Sequence, residues 1–276
     1  MVQYACRYVQ RGATMKTRYG LIGRHIGQSQ SPVIHQTIAS LAGKDIAYDL
    51  LDVDEVMLPE LIEYLFREMY HGYNVTMPYK QTIIPFVHRL TKQASRIGAV
   101  NTIYLDQETV IGDNTDYHGF IGLVKYHKIK VRRKKVAILG NGGAAMAVYV
   151  ALKDLGAKPI VVVRPDSQVE PLFKEVVTYE EFDWTVIDLF VNATPIGSHE
   201  TEGQSLLHPS CVQKKTVIDL LYQPSVTQMM KDAKLGFNGE MMLIIQALRS
   251  ASIWYQKDLQ ANAKNLQAIK DVIKHE

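Results

Sequence analysis

A chain of 276 residues is long enough for two domains, each with its own core. Hydrophobic residues at 47%, charged residues at 21% and a net charge of +3 describe an ordinary soluble globular protein, not a disordered or strongly basic one. The densest basic run, Lys128 to Lys135, directly precedes an apolar strand and carries no base-stacking aromatic motif. It reads as a solvated connector, and no nucleic-acid partner is expected. Two cysteines, Cys6 and Cys211, show neither CxxC nor metal-type spacing, which fits a reducing, cytoplasmic compartment. No histidine pattern suggests a catalytic metal, and no apolar stretch nears the roughly 18 residues of a membrane span. Residues 1–14 lack the apolar segment of a signal peptide and are expected to be a poorly ordered extension ahead of Met15.

In chain order, Tyr19 to Arg24 is a short strand, and Ser31-Pro32 opens a helix with Ser31 as N-cap and Pro32 at the first position. Val33, Ile34, Ile38 and Leu41 keep helical spacing until Gly43. Tyr48 to Val53 is a second strand, Met57 to Tyr70 a helix, and Tyr73 to Met77 a third strand stopped by Pro78. Helical turns are predicted from Tyr79 to Gly98, broken near Pro85, with Lys80 at their start, followed by strand Val100 to Leu105.

The second half has a different texture. Val136 to Gly140, Pro159 to Arg164, Leu189 to Ala193 and Val217 to Leu221 are near-continuous apolar strands, and a helix runs from Ala144 to Leu155. Such strands separated by helices predict a parallel sheet covered on both faces. Two helices, Met241 to Tyr255 and Leu259 to Lys274, close the chain outside this alternation.

Gly140-Asn141-Gly142-Gly143-Ala144-Ala145 follows a strand and opens a helix, the context a dinucleotide fingerprint requires. Gly140 permits the turn, Gly142 lets backbone approach a pyrophosphate, and Ala145 keeps the helix near the strand. Free N–H groups of Gly143 and Ala144 at the helix start then face phosphate. After the next strand stands Arg164, with no acid at the strand end but Asp166 two residues on. That favours NADP, whose 2′-phosphate an Arg accommodates, while leaving NAD possible.

The first half carries polar clusters at strand ends: Ser29-Gln30-Ser31-Pro32, Asn74-Val75-Thr76-Met77-Pro78-Tyr79-Lys80, Gly98-Ala99-Val100-Asn101-Thr102 and Gly112-Asp113-Asn114-Thr115-Asp116. The second half adds Asn192-Ala193-Thr194-Pro195-Ile196-Gly197, Tyr222-Gln223-Pro224 and the run from Asn238-Gly239-Glu240 to Gln246. Together, and in this order, these segments resemble the signature segments of shikimate dehydrogenases from Tyr19 to about Tyr255.

The resemblance implies an α/β fold of two domains, an N-terminal α/β substrate domain and a Rossmann-like doubly wound parallel sheet. The bounds it suggests are 15–117 plus the returning helices 240–276 for the first, and 118–239 for the second. It implies reversible NADPH-dependent reduction of 3-dehydroshikimate to shikimate, in aromatic amino-acid synthesis. Matching positions make Lys80 and Asp116 the catalytic pair. They place Ser29, Ser31, Thr76, Asn101, Asp116, Tyr222 and Gln246 around the substrate. Asn192, Thr194 and Gly239 join the Gly140 turn on the cofactor side.

These residue types suit the task. A polyhydroxylated acid is recognised by many small donors and acceptors, and carbonyl reduction requires a proton as hydride arrives. Departures from the family pattern are Val163, Pro165 and Gln168 near Arg164, Asn141 in the phosphate turn, and Tyr117, a bulk expected to narrow the cleft. Two further readings stay open: a quinate/shikimate dehydrogenase using NAD or both cofactors, and a non-catalytic binding homologue. Neither motif nor composition separates a monomer from a homodimer.

Overall fold

The computed structural model describes residues 16–180 and 182–273, so the expected extension at residues 1–14 lies outside the described residues. Two six-stranded sheets organise the chain.

The first sheet is built from β1 (Thr17–Gly23), β2 (Ile46–Asp52), β3 (Tyr73–Val75), β4 (Arg89–Leu90), β5 (Thr102–Asp106) and β6 (Thr109–Asp113), in the order β2-β1-β3-β5-β6-β4. β1 pairs in parallel with β2 and β3, whereas β5 runs antiparallel to both β3 and β6. Alternation along β1 sends Tyr19 and Leu21 to one core and Ile22 to another. The helix α1 (Ser31–Leu41) belongs to the first core through Ile34 and Ile38, and α2 (Leu58–Phe66) to the second through Leu58, Leu61, Ile62 and Leu65. Fully burying each such side chain contributes about 1.5–3 kcal/mol. The helix α2 stops four residues short of the predicted Tyr70, where Glu68 turns into the left-handed region (φ 53°). Ser31 is not the N-cap of α1. Gln30 holds that position without a side-chain bond, and Ser29 Oγ accepts from Ser31 N at 3.2 Å.

After β4 come α3 (Lys92–Ile97) and, beyond β6, α4 (Asp116–Tyr126). The second sheet then follows with β7 (Lys135–Leu139), α5 (Gly143–Asp154), β8 (Lys158–Val163), β9 (Val176–Thr178), β10 (Leu189–Asn192), α6 (Pro209–Val212), β11 (Thr216–Asp219), α7 (Gln228–Asp232) and β12 (Leu235–Phe237). It is parallel throughout, in the order β12-β11-β10-β7-β8-β9. Counted from β7, this is the doubly wound order 3-2-1-4-5-6, with its switch point between β7 and β10.

The chain closes with α8 (Glu240–Tyr255) and α9 (Ala263–Lys270). They pack on elements of the first half: α8 against α4 and α1, and α9 against α1. The approach of α8 to α4 depends on Gly119, where a Cβ would lie 2.6 Å from the Met242 carbonyl and 3.0 Å from Gln246 Cβ. One apolar core therefore runs from Tyr19 and Phe120 through Met146 and Val148 of α5 to Val136 and Ile138 of β7. It welds the two sheets along one side and leaves their strand ends facing each other.

Candidate active site

Four separate chain segments deliver the polar groups. Lys80 lies in consecutive turns after β3, where no helix begins, contrary to the sequence expectation. Its Nζ donates to Asp116 Oδ2 at 2.6 Å, and both side chains are nearly enclosed, at 15% and 9% exposure. Asp116 opens α4, and its other oxygen accepts from Asn101 Nδ2 at 2.8 Å. The Asn101 amide also reaches Gln246 Oε1 of α8 at 3.4 Å, and Thr115 Oγ1 donates to the same oxygen at 3.3 Å. Lys80, Asp116, Asn101 and Gln246 thus form one cluster, and the polar interruption of α8 faces it.

Beneath the cluster is a buried network that sequence reasoning missed. Asn74 Nδ2 donates to the Asn101 carbonyl (3.1 Å), Thr102 Oγ1 (3.3 Å) and Ser250 Oγ (3.0 Å). Tyr48 donates to Asn74 Oδ1 at 2.9 Å and lies close enough to the Ser31 hydroxyl to interact with it electrostatically, and Ser31 Oγ accepts from Ser29 Oγ at 3.1 Å. Tyr48 and Asn74 therefore bring the start of α1 next to the Asn101 segment. Asn74 heads the Asn-Val-Thr segment, and its motif position was the available signal. Thr76 follows β3 at the same sheet end, partly exposed. Tyr222, in the loop after β11, lies partly buried beside the main chain of Gln30, between Ser29 and Ser31, and burial raises its hydroxyl pKa.

His35 stacks on Tyr48 (ring centroids 4.5 Å apart, interplanar angle 5°), and burial pushes its imidazole down from 6.5 to about 3. Between those values the unfolded chain holds a proton that the native state lacks. Stability therefore falls as pH drops below about 6.5, by up to about 1.4 kcal/mol per unit. His35→Phe keeps the stack and removes the titration. Urea unfolding should show wild type losing about 2 kcal/mol more than the variant between pH 7 and pH 5. Equal losses would contradict a neutral buried imidazole.

The glycine turn of the second sheet meets this cluster directly. A Cβ on Gly143, the first residue of α5, would lie 3.1 Å from Lys80 Cδ and 3.2 Å from Lys80 Cβ. Gly140 has φ 101°, and a Cβ there would meet Thr194 Cγ2 at 2.9 Å. At Gly142 a Cβ would find open space. Gly142, Gly143 and Ala144 therefore present a helix N-terminus at the switch point, a cradle suited to a dinucleotide pyrophosphate. Asn192 ends β10, and Thr194 follows it against the turn. Ala145 is fully buried within α5, and Gly239 precedes α8, packed against Leu220 after β11.

Arg164 is not drawn into the cluster. It stands exposed after β8, forms no ion pair among the described residues, and has exposed Asp166 beside it. Asn141 Nδ2 donates to the Gln168 carbonyl at 2.6 Å, tying the phosphate turn to the loop after β8. Tyr117 does not narrow the cleft. Its hydroxyl donates to Asp154 Oδ2 at 2.8 Å, at the end of α5 remote from Gly143. Arg96 of α3 grips the same carboxylate at 2.8 and 3.0 Å, so α5 is tied to the first half at both ends. Among the described residues no group of three metal-ligating side chains occurs, and no helix is long and apolar enough to cross a membrane.

A nucleotide cradle that touches an ammonium–carboxylate pair held on a second sheet is the working arrangement of two-domain nicotinamide-dependent oxidoreductases, and this fold is of that class. Comparison with known proteins narrows it. Residues 21–103 match the family model described as the shikimate dehydrogenase substrate binding domain. A shikimate dehydrogenase (NADP(+)) of Clostridium botulinum is 35% identical over 245 residues, covering 85% of this chain and 95% of the relative. The crystal structure of a chorismate mutase/shikimate 5-dehydrogenase fusion protein from Clostridium acetobutylicum superposes with a TM-score of 0.85 at 32% identity, covering 94% and 97% of the two chains. The shikimate 5-dehydrogenase of Thermus thermophilus, crystallised in complex with NADP(H) and shikimate, gives a TM-score of 0.82 at 26% identity, covering 93% and 100%. The chain belongs to the shikimate dehydrogenase family.

Proposed function

We infer that this protein catalyses the reversible, NADP-dependent interconversion of shikimate and 3-dehydroshikimate. The observation that carries the reading is the 2.6 Å Lys80–Asp116 pair packed against the first residue of the nucleotide cradle. A carbonyl held at that junction would have proton donor and hydride source within reach of the same carbon–oxygen bond.

Bound NADPH supplies the hydride, and NADP accepts it in reverse. In reduction, Lys80 Nζ passes a proton to the oxygen that becomes the hydroxyl, and in oxidation neutral Lys80 takes it back. Asp116 keeps the ammonium aimed by accepting from it at Oδ2, while Asn101 occupies Oδ1 and stops the carboxylate from turning. A lone pair of Asp116 remains for a neighbouring substrate hydroxyl. Asn101 and Gln246 offer further amide groups, and Thr76 a hydroxyl, for the ring hydroxyls. Ser29, Ser31 and the Tyr222 hydroxyl converge at the start of α1 and suit the carboxylate. Gly140, Asn141, Gly142, Gly143, Ala144, Ala145, Asn192, Thr194 and Gly239 would hold the dinucleotide, with Arg164 free to meet the 2′-phosphate. In domain terms we assign 15–117 plus 240–276 to substrate and 118–239 to cofactor, in a cytoplasmic enzyme.

The test is a comparison of initial rates for four pairs: shikimate or quinate with NADP or NAD. Shikimate with NADP should be fastest. A quinate or NAD preference would favour the broader quinate/shikimate reading, and no reduction in any pair would refute both enzymatic readings.

A further inference from the structure

Asn192 ends β10 at the switch point, is 1% exposed, and uses every valence of its amide. Its Oδ1 accepts from Thr194 N (3.0 Å) and Thr194 Oγ1 (2.8 Å). Its Nδ2 donates to the Ile196 carbonyl (3.0 Å) and to Asp219 Oδ1 (3.0 Å). Ile196 N donates in turn to Thr194 Oγ1 at 3.2 Å, so the Asn192 side chain ties together Thr194 and Ile196 of the loop that follows it. That loop seats Thr194 against Gly140 of the phosphate turn.

A primary amide has nearly the same shape in both orientations, and only its partners decide which end is the donor. Thr194 Oγ1 can donate or accept, but Thr194 N only donates, and the Ile196 carbonyl and a carboxylate only accept.

We propose that Asp219 is a positioning residue: by accepting from Asn192 Nδ2 it anchors that amide, and the loop folded on it, to β11, and thereby places the loop that receives the cofactor beside the Gly140 turn. Asp219 ends β11, directly paired in register with Asn192, and is 0% exposed. It also accepts from Leu221 N (3.1 Å) and Thr227 Oγ1 (2.7 Å). Among the described residues no cation pairs with it. Burial raises its carboxyl pKa, against the pull of these three hydrogen bonds. An acid placed there at such desolvation cost is not explained by stability alone. Thr194 N and the Ile196 carbonyl belong to the loop itself and hold the same amide orientation; Asp219 is the obligate acceptor that holds the amide from the neighbouring strand.

The inference rests on the cofactor side of the functional reading, so its test uses binding and not turnover. NADPH affinity is measured by nicotinamide fluorescence and shikimate affinity by calorimetry, for wild type, Asp219→Ala, Asn192→Ala, the double variant and Asp219→Asn. Each alanine variant should weaken NADPH binding about tenfold, the equivalent of one buried hydrogen-bonded partner lost. Shikimate affinity should stay within about twofold, because the serines of α1 and the Lys80 cluster are not touched. The double variant should bind NADPH no worse than Asn192→Ala, since Asp219 acts through that amide. Asp219→Asn keeps an acceptor facing Asn192 and should restore affinity to within about threefold of wild type.

Wild-type NADPH affinity in Asp219→Ala, equal loss for both ligands, or additive losses in the double variant would overturn the proposal. If Asp219→Ala fails to fold, the other two variants decide. Normal NADPH affinity in Asn192→Ala, or weak affinity in Asp219→Asn, overturns it. Wild-type protein that binds NADPH but turns over no shikimate would refute the enzymatic reading and leave this inference standing on its own data.

Discussion

Lys80→Ala is expected to lower the turnover of shikimate by about two to four orders of magnitude, the span of a lost general acid–base group. The Michaelis constant for shikimate should change only a few-fold. The reason is the division of labour around Asp116. Asn101 holds Oδ1 whether or not Lys80 is present, and Ser29, Ser31 and Tyr222 lie on a different element from Lys80. What disappears is the proton at the reacting oxygen, which matters in the transition state more than in the bound complex. Lys80→Arg makes the argument sharper. A guanidinium keeps the charge beside Asp116 but does not release its proton at neutral pH, so activity should stay low. Steady-state kinetics of the two variants check this. Near-normal turnover in either would show that the proton comes from elsewhere.

The second large effect is structural. Gly239→Ala should destabilise the fold by about 3 kcal/mol or more, a melting-temperature drop of about 6–12 °C for a chain this size. Gly239 has φ −77° and ψ −2°, which alanine adopts freely, so backbone freedom is not the issue. The added Cβ would stand 2.0 Å from the Leu220 carbonyl oxygen and 2.5 Å from its carbon. Gly239 N also donates to the Leu221 carbonyl at 2.8 Å, so the end of β11 and the start of α8 cannot simply separate. The clash is with backbone, which has no rotamer to change. Gly142→Ala is the matched control. Its Cβ meets nothing within 4 Å, so calorimetry should find near-wild-type melting while NADPH binding weakens. A normal melting temperature for Gly239→Ala would contradict the packing described at this junction.

The long periodic elements could be read directly from the residues. The Val/Ile/Leu runs of β7, β8, β10 and β11 and the helices α5 and α8 fall within a few residues of expectation. Short elements were hidden, because too few residues stand on one face to set up a period. β4 is only Arg89–Leu90, and β12 contains Gly236. The hairpin strand β6 was obscured because Gly112 and Asp113 drew attention as a polar cluster. Lys80 was expected at a helix start because Pro78 precedes it, but the chain makes consecutive turns there before Pro85.

Single residues of the site were legible through motif order, and their wiring was not. Asn74, Thr102, Thr115 and Ser250 meet only after β3, β5, α4 and α8 are packed, and no linear pattern contains that meeting. Asp219 was concealed by its surroundings, an acid inside an apolar strand whose partner Asn192 lies 27 positions earlier. Tyr117 shows the opposite limit. Its size was evident from sequence, but its direction, toward Asp154, depends on where α5 ends.

The central claim is that hydride and proton meet on one carbonyl at the junction of Lys80 with the glycine turn. The most direct test follows label in a single turnover of wild-type protein with 3-dehydroshikimate and NADPH deuterated on the transferring face of nicotinamide C4. Mass spectrometry should find the deuterium on the carbinol carbon of newly formed shikimate, with none lost to water. Shikimate formed without label, or no shikimate at all, would contradict the account.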